Sequence, residues 1–98
     1  MLTINEIGER LIPIFEKNNI KRAMLFGSYA TGIASQDSDV DLVIDNNGKS
    51  LGLDFFQIAV DCGEILGVSV DLFEFREIEL NSEIEKDIKD EGILIYED

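Results

Sequence analysis

A chain of 98 residues with 8 basic and 21 acidic side chains carries a formal charge of −13, and at that length a single domain spanning residues 1–98 is expected, because two half-sized cores would barely outweigh chain entropy. Its 45% hydrophobic content is that of a globular chain, whereas so negative a balance is unsuited to a broad surface for neutralising nucleic-acid phosphates. One cysteine and no histidine exclude an internal disulfide and an ordinary zinc site, so any metal must be held by oxygen.

The first predicted element is a helix from about Thr3 to Lys17. Thr3 and Glu6 form a capping box, and Ile4, Ile7, Leu11, Ile14 and Phe15 recur on one helical face. Pro13 falls inside that pattern and predicts a kink near Gly8 to Arg10. Asn18-Asn19 ends the helix, Ile20 to Phe26 reads as a short apolar strand, and the Gly-, Ser-, Ala- and Thr-rich stretch from Gly27 to Ser38 reads as a loop with at most one helical turn. Val40 to Ile44 is the next strand, closed by the turn residues Asp45-Asn46-Asn47-Gly48. Phe55, Ile58, Ala59, Cys62, Ile65 and Leu66 mark a long helix from about Leu51 to Leu66, with Gly67 as its C-terminal cap. Val68 to Phe75 alternates like a strand. Ser82 and Glu85 suggest a second capping box, Ile84 and Ile88 follow at helical spacing, and Gly92 separates that helix from an apolar ending, Ile93 to Tyr96. This order predicts an α/β (α+β) domain with one sheet packed against helices.

No apolar run reaches the roughly 18 residues that cross a bilayer, and the start, Met1 to Glu6, lacks the basic and then apolar pattern of a secretory leader. A cytoplasmic location without membrane association is therefore expected. The acids concentrate late in the chain: residues 71–98 hold eleven against three basic groups, which suits a basic partner protein or a metal-bridged small anion.

Three carboxylates carry the chemical signal. Asp39 and Asp41 are two apart at the start of a strand, and a period of two places both on one face. In Val68-Ser69-Val70-Asp71-Leu72, the valines and Leu72 share one face, so Asp71 points the other way. An acid inside an apolar strand is costly unless a charge compensates it. Three such acids, if they converge, repel one another and favour a divalent cation bound through hard oxygens. Two magnesium ions held by shared carboxylates are a recurring device for phosphoryl and nucleotidyl transfer. Gly27-Ser28 follows directly on a strand, where the missing Cβ lets the backbone approach an anion and the next amides can point at it.

The run Leu25-Phe26-Gly27-Ser28-Tyr29-Ala30-Thr31-Gly32, followed by Asp37-Ser38-Asp39-Val40-Asp41-Leu42, resembles the nucleotidyltransferase signature of the DNA polymerase beta superfamily: a Gly-Ser pair, ten intervening residues and an Asp-x-Asp. The short length and the Val70-Asp71-Leu72 strand resemble its minimal nucleotidyltransferase branch, and the similarity runs over nearly the whole chain. The resemblance implies a mixed sheet, binding of a nucleotide's β- and γ-phosphates by Gly27 and Ser28, and metal ligation by Asp39 and Asp41. Asp71 would be the third carboxylate, a further metal ligand that orients or deprotonates the acceptor hydroxyl. It further implies ATP and two Mg2+ ions (Mn2+ as substitute), AMP transfer with release of pyrophosphate, and an antitoxin role towards a HEPN-type toxin partner whose tyrosine is modified. Thr31 departs from the pattern, since many relatives have Arg or Lys there. Two other readings stand beside this one: a binding module that neutralises its partner by contact alone, and an aminoglycoside-type small-molecule nucleotidyltransferase, for which a second subunit is expected to supply the extra helical domain that such enzymes usually need. Exposed apolar patches would allow a dimer or a complex.

Overall fold

The first helix, α1 (Ile4–Lys17), starts where the capping box predicts. Thr3 Oγ1 accepts from the Glu6 N–H at 3.1 Å, and the Glu6 carboxylate accepts from the Thr3 N–H at 3.1 Å. Pro13 is carried within the helix on its exposed side, while Ile7, Leu11, Ile14 and Phe15 are buried. The structure, a computed structural model, describes residues 1–98, and the remaining elements in chain order are β1 (Arg22–Phe26), α2 (Ser28–Thr31), β2 (Val40–Asp45), α3 (Asp54–Leu66), β3 (Val70–Glu74), a short 3-10 turn (Phe75–Glu77), α4 (Glu83–Glu91) and β4 (Ile93–Glu97). No helix is long and apolar enough to cross a membrane.

The strands form one mixed sheet in the order β3-β2-β1-β4. β1 runs antiparallel to both β2 and β4, whereas β2 and β3 are parallel; a parallel pair needs a crossover, and α3 supplies it. Strand alternation then sorts side chains between two layers. Ala23 and Leu25 of β1 join Val40, Leu42 and Ile44 of β2 against α1 and the Ile58, Cys62 and Leu66 face of α3, in the larger core. Phe26 and Val43 point to the opposite face, where Ile88 of α4 covers them and Met24, Phe73, Ile78 and Ile84 pack around. Phe26 and Phe73 meet with ring centroids 5.6 Å apart.

Two local expectations are corrected. The strand expected from Val68 to Phe75 spans only Val70–Glu74: it begins two residues later, and at its other end Phe75–Glu77 winds into a 3-10 turn. The second capping box is only half formed: Ser82 Oγ accepts from the Glu85 N–H at 3.1 Å, but the Glu85 carboxylate accepts from the N–H of Asn81 instead of Ser82. Asn81 is in the left-handed region at φ 63°, and its amide takes the acceptor that the motif reserves for Ser82.

Cys62 is fully buried in the larger core, as its place on the apolar face of a helix predicts. Burial pushes its thiol up to about 12, because a thiolate there has lost its hydration. The native protein is expected to resist a thiol-specific reagent at pH 8 and to react stoichiometrically once unfolded in guanidinium; rapid native labelling would show that α3 opens from the sheet.

Candidate active site

β1 ends at Phe26, and Gly27 reverses the chain at φ 73°, ψ −153°, a conformation that residues with a Cβ rarely adopt. A Cβ at Gly27 would run into the Asp41 carboxylate, with Asp41 Cγ at 3.0 Å. Glycine is therefore required both by the backbone and by the acid beside it. The chain continues into the single turn α2, whose Ala30 and Thr31 amides donate to the Gly27 carbonyl at 3.1 Å each. Ser28, half-buried, stands at the start of that turn.

Register brings the acids to the same place. Phe26 pairs with Asp41 across β1 and β2, and Asp41 pairs with Asp71 across the parallel strands, so the two carboxylates are neighbours on the α4 face of the sheet, next to the Gly27 turn. This placement of Asp71 depends on β3 lying beside β2. Asp41 is half-buried, while Asp39 and Asp71 are exposed. Burial pushes the Asp41 carboxyl up to about 6; the Asp71 and Asp39 charges and a hydrogen bond with Asp71 act in the same direction, as does the more remote charge of Asp87 on α4. Two facing carboxylates share either a proton or a cation.

The donor chemistry suits a hard cation. Only oxygen ligands meet here, since the chain has no histidine and Cys62 lies in the core on the other side of the sheet. Asp41 and Asp71 are the pair that would hold it. Asp39 bears on Asp41 electrostatically, but no three acidic side chains stand together as a ready cage. Asp39 precedes the first residue of β2, outside the ladder that pins Asp41 opposite Asp71.

Thr31, in the place of a basic residue, turns its hydroxyl back on its own turn and donates to the Gly27 and Ser28 carbonyls, both at 3.3 Å. Tyr29 is buried in the larger core, packed beneath the loop. Lys49 is exposed, and Arg76 is an exposed partner of Glu77 at 3.5 Å. Sequence reasoning missed a second polar cluster on the acids' face: Arg22 meets Asp45 at 3.0 Å and lies over the Phe75 ring at 5.9 Å from its centroid. Burial opposes ionisation of Asp45, but hydrogen bonds from Arg22 and the Gly48 N–H hold its carboxyl below its usual value. This cluster borders a cavity of about 260 Å3 with Met24, Val43 and Ile88 in its wall. The alternation of Asp41, Val43 and Asp45 was the available signal.

A mixed sheet with paired carboxylates beside a Gly-Ser turn defines a nucleotidyltransferase. The family model for polymerase beta nucleotidyltransferases matches residues 9–98. A Methanocaldococcus jannaschii chain with the provisional name protein adenylyltransferase is 40% identical over 78 residues, 79% of this chain and 83% of that one. A crystal structure of a toxin-antitoxin with AMP-PNP superposes with a TM-score of 0.80, covering 93% of this chain and 73% of that chain at 19% identity. The complex of a tri-AMPylated Shewanella oneidensis HEPN toxin with its MNT antitoxin gives 0.75, covering 98% of this chain and 74% of that chain at 16% identity. The chain belongs to the polymerase beta nucleotidyltransferase family.

Proposed function

We propose that this nucleotidyltransferase transfers AMP from ATP to a hydroxyl of a partner protein, a tyrosine of a HEPN-type toxin, and thereby acts as an antitoxin. The observation that carries the reading is the pairing of Asp41 with Asp71 beside the Gly27 turn. The hydroxyl oxygen forms a bond to the α-phosphorus, the bond from that phosphorus to the bridging oxygen breaks, and pyrophosphate leaves with the electron pair. Asp71, the more exposed of the facing pair, orients the hydroxyl and takes its proton. Gly27 and Ser28 hold the β- and γ-phosphates, because the bare backbone at Gly27 admits an anion close to the chain. Asp41 and Asp71, with Asp39 adjacent to them, would hold Mg2+, which would supply neutralisation of the triphosphate and of the leaving pyrophosphate.

A protein acceptor agrees with the −13 charge, and with the provisional name of the Methanocaldococcus relative and the AMPylated toxin held by the Shewanella antitoxin. Incubation with labelled ATP, Mg2+ and the co-expressed HEPN-type partner is expected to label the partner and relieve its toxicity. Label that persists in the Asp39→Asn, Asp41→Asn double variant would defeat the catalytic reading. Thr31 favours a second reading, neutralisation by contact alone, because its hydroxyl is turned onto its own turn and no cation replaces it. On that reading the double variant still neutralises the toxin without nucleotide. Aminoglycosides offered as acceptors test the small-molecule alternative.

A further inference from the structure

We propose that the outer face of α3 is a docking surface for a partner protein that presents an apolar helix rimmed by lysine and arginine. Leu53, Phe56 and Val60 are 84%, 65% and 52% exposed. At 100° per residue they fall within one narrow sector, opposite the sector of Ile58, Cys62 and Leu66 that packs on the sheet. A helix lying on a sheet needs one apolar face, and α3 has two. Phe56 is braced edge-on against Phe55, with ring centroids 5.7 Å apart and planes at 86°, so the patch presents a pre-ordered aromatic anchor, a residue type enriched at the centres of interfaces.

The charge around the patch selects the occupant. Asp54, Asp61 and Glu64 lie on α3, Gln57 donates to Asp61 at 2.8 Å, and no basic residue occurs between Ser50 and Phe75; Lys17 of α1, which lines a shallow pocket with Asp61 and Glu64, is one cation against these three acids. A second copy would bring the same acids and the same −13 charge to the contact, and nucleic acid or an anionic membrane would be repelled as well. A cationic protein segment gains on both counts, burying the apolar sector and neutralising its border. α3 lies on the face of the sheet away from Asp41 and Asp71, so docking leaves those acids open, and the inference does not depend on the transfer reaction.

The test uses the full chain and a synthetic amphipathic helical peptide with a leucine stripe flanked by Lys and Arg, beside a control with Glu at the flanking positions. Fluorescence anisotropy is expected to show binding of the cationic peptide alone, with amide shifts centred on α3. The triple variant Leu53→Ser, Phe56→Ser, Val60→Ser is expected to lose at least tenfold in affinity and to keep its circular dichroism, since these side chains stand in solvent. The Asp41→Asn variant is expected to bind as the wild type does, which separates failure of this surface from failure of the active site. Equal binding by the triple variant would reduce the effect to generic attraction by an acidic chain and overturn the proposal. Self-association of the free protein that the triple variant abolishes would also overturn it, in favour of a second copy.

Discussion

Asp41→Asn is expected to lower AMP transfer on the order of 10^3-fold, the scale of losing one electrostatic partner of a transition state, and at the same time to make the folded protein more stable. The second effect follows from the position of the carboxyl. Burial, Asp71 and Asp39 raise its folded pKa from 3.8 to about 6, so the folded state favours the protonated form. Below pH 4 the group is neutral in both states and its full favourable contribution is present. As the pH rises from 4 through 6 the unfolded chain ionises first, and that contribution is lost. Above pH 7 the variant should exceed the wild type by about 1 to 2 kcal/mol, once screening at a half-exposed carboxyl is allowed for, with little difference at pH 4. Urea unfolding at the two pH values measures this, and equal gaps at both would refute it. Added Mg2+ should raise the wild-type Tm more than the variant's, since a bound cation compensates the repulsion that asparagine removes.

Gly27→Ala is expected to cost about 2 to 4 kcal/mol of stability and more than 10^2-fold in transfer. Part of the cost is the backbone: φ 73°, ψ −153° is close to glycine-only territory, worth about 1 to 3 kcal/mol for another residue. The rest is the collision with the Asp41 carboxylate, which must swing away and carries the loss of activity, because small displacements of a reacting constellation are costly. The two parts are separable. Asp41→Ala in the same chain relieves the collision and leaves the backbone strain, so the double variant should regain part of the stability and none of the activity. A fully additive cycle would show that carboxylate and turn do not touch.

Legibility along the chain depended on how local each feature is. The capping box of Thr3 and Glu6 lies within four residues and formed as expected. The turn of Asp71 away from Val70 and Leu72 follows from a two-residue period that any strand obeys, whereas Asp39 precedes the first residue of β2 and that period does not place it. Ser82 and Glu85 show the limit even of local patterns: an alternative donor one residue away, Asn81, captured the Glu85 carboxylate. The pairing of Arg22 with Asp45 was invisible, since the residues are 23 apart and belong to strands whose register emerges only when the sheet assembles.

Period and spacing, then, were enough to name a Gly-Ser turn, to orient Asp41 and Asp71 on their strands and to restrict any metal to oxygen ligands, since all of these depend on neighbours in the chain. The meeting of Asp41 with Asp71, the position of Asp39 just outside the ladder, and the exposure of Leu53, Phe56 and Val60 came from folding. Strand order and the choice of which helix face is covered are set by contacts between distant segments, whose closure entropy and burial are properties of the whole chain.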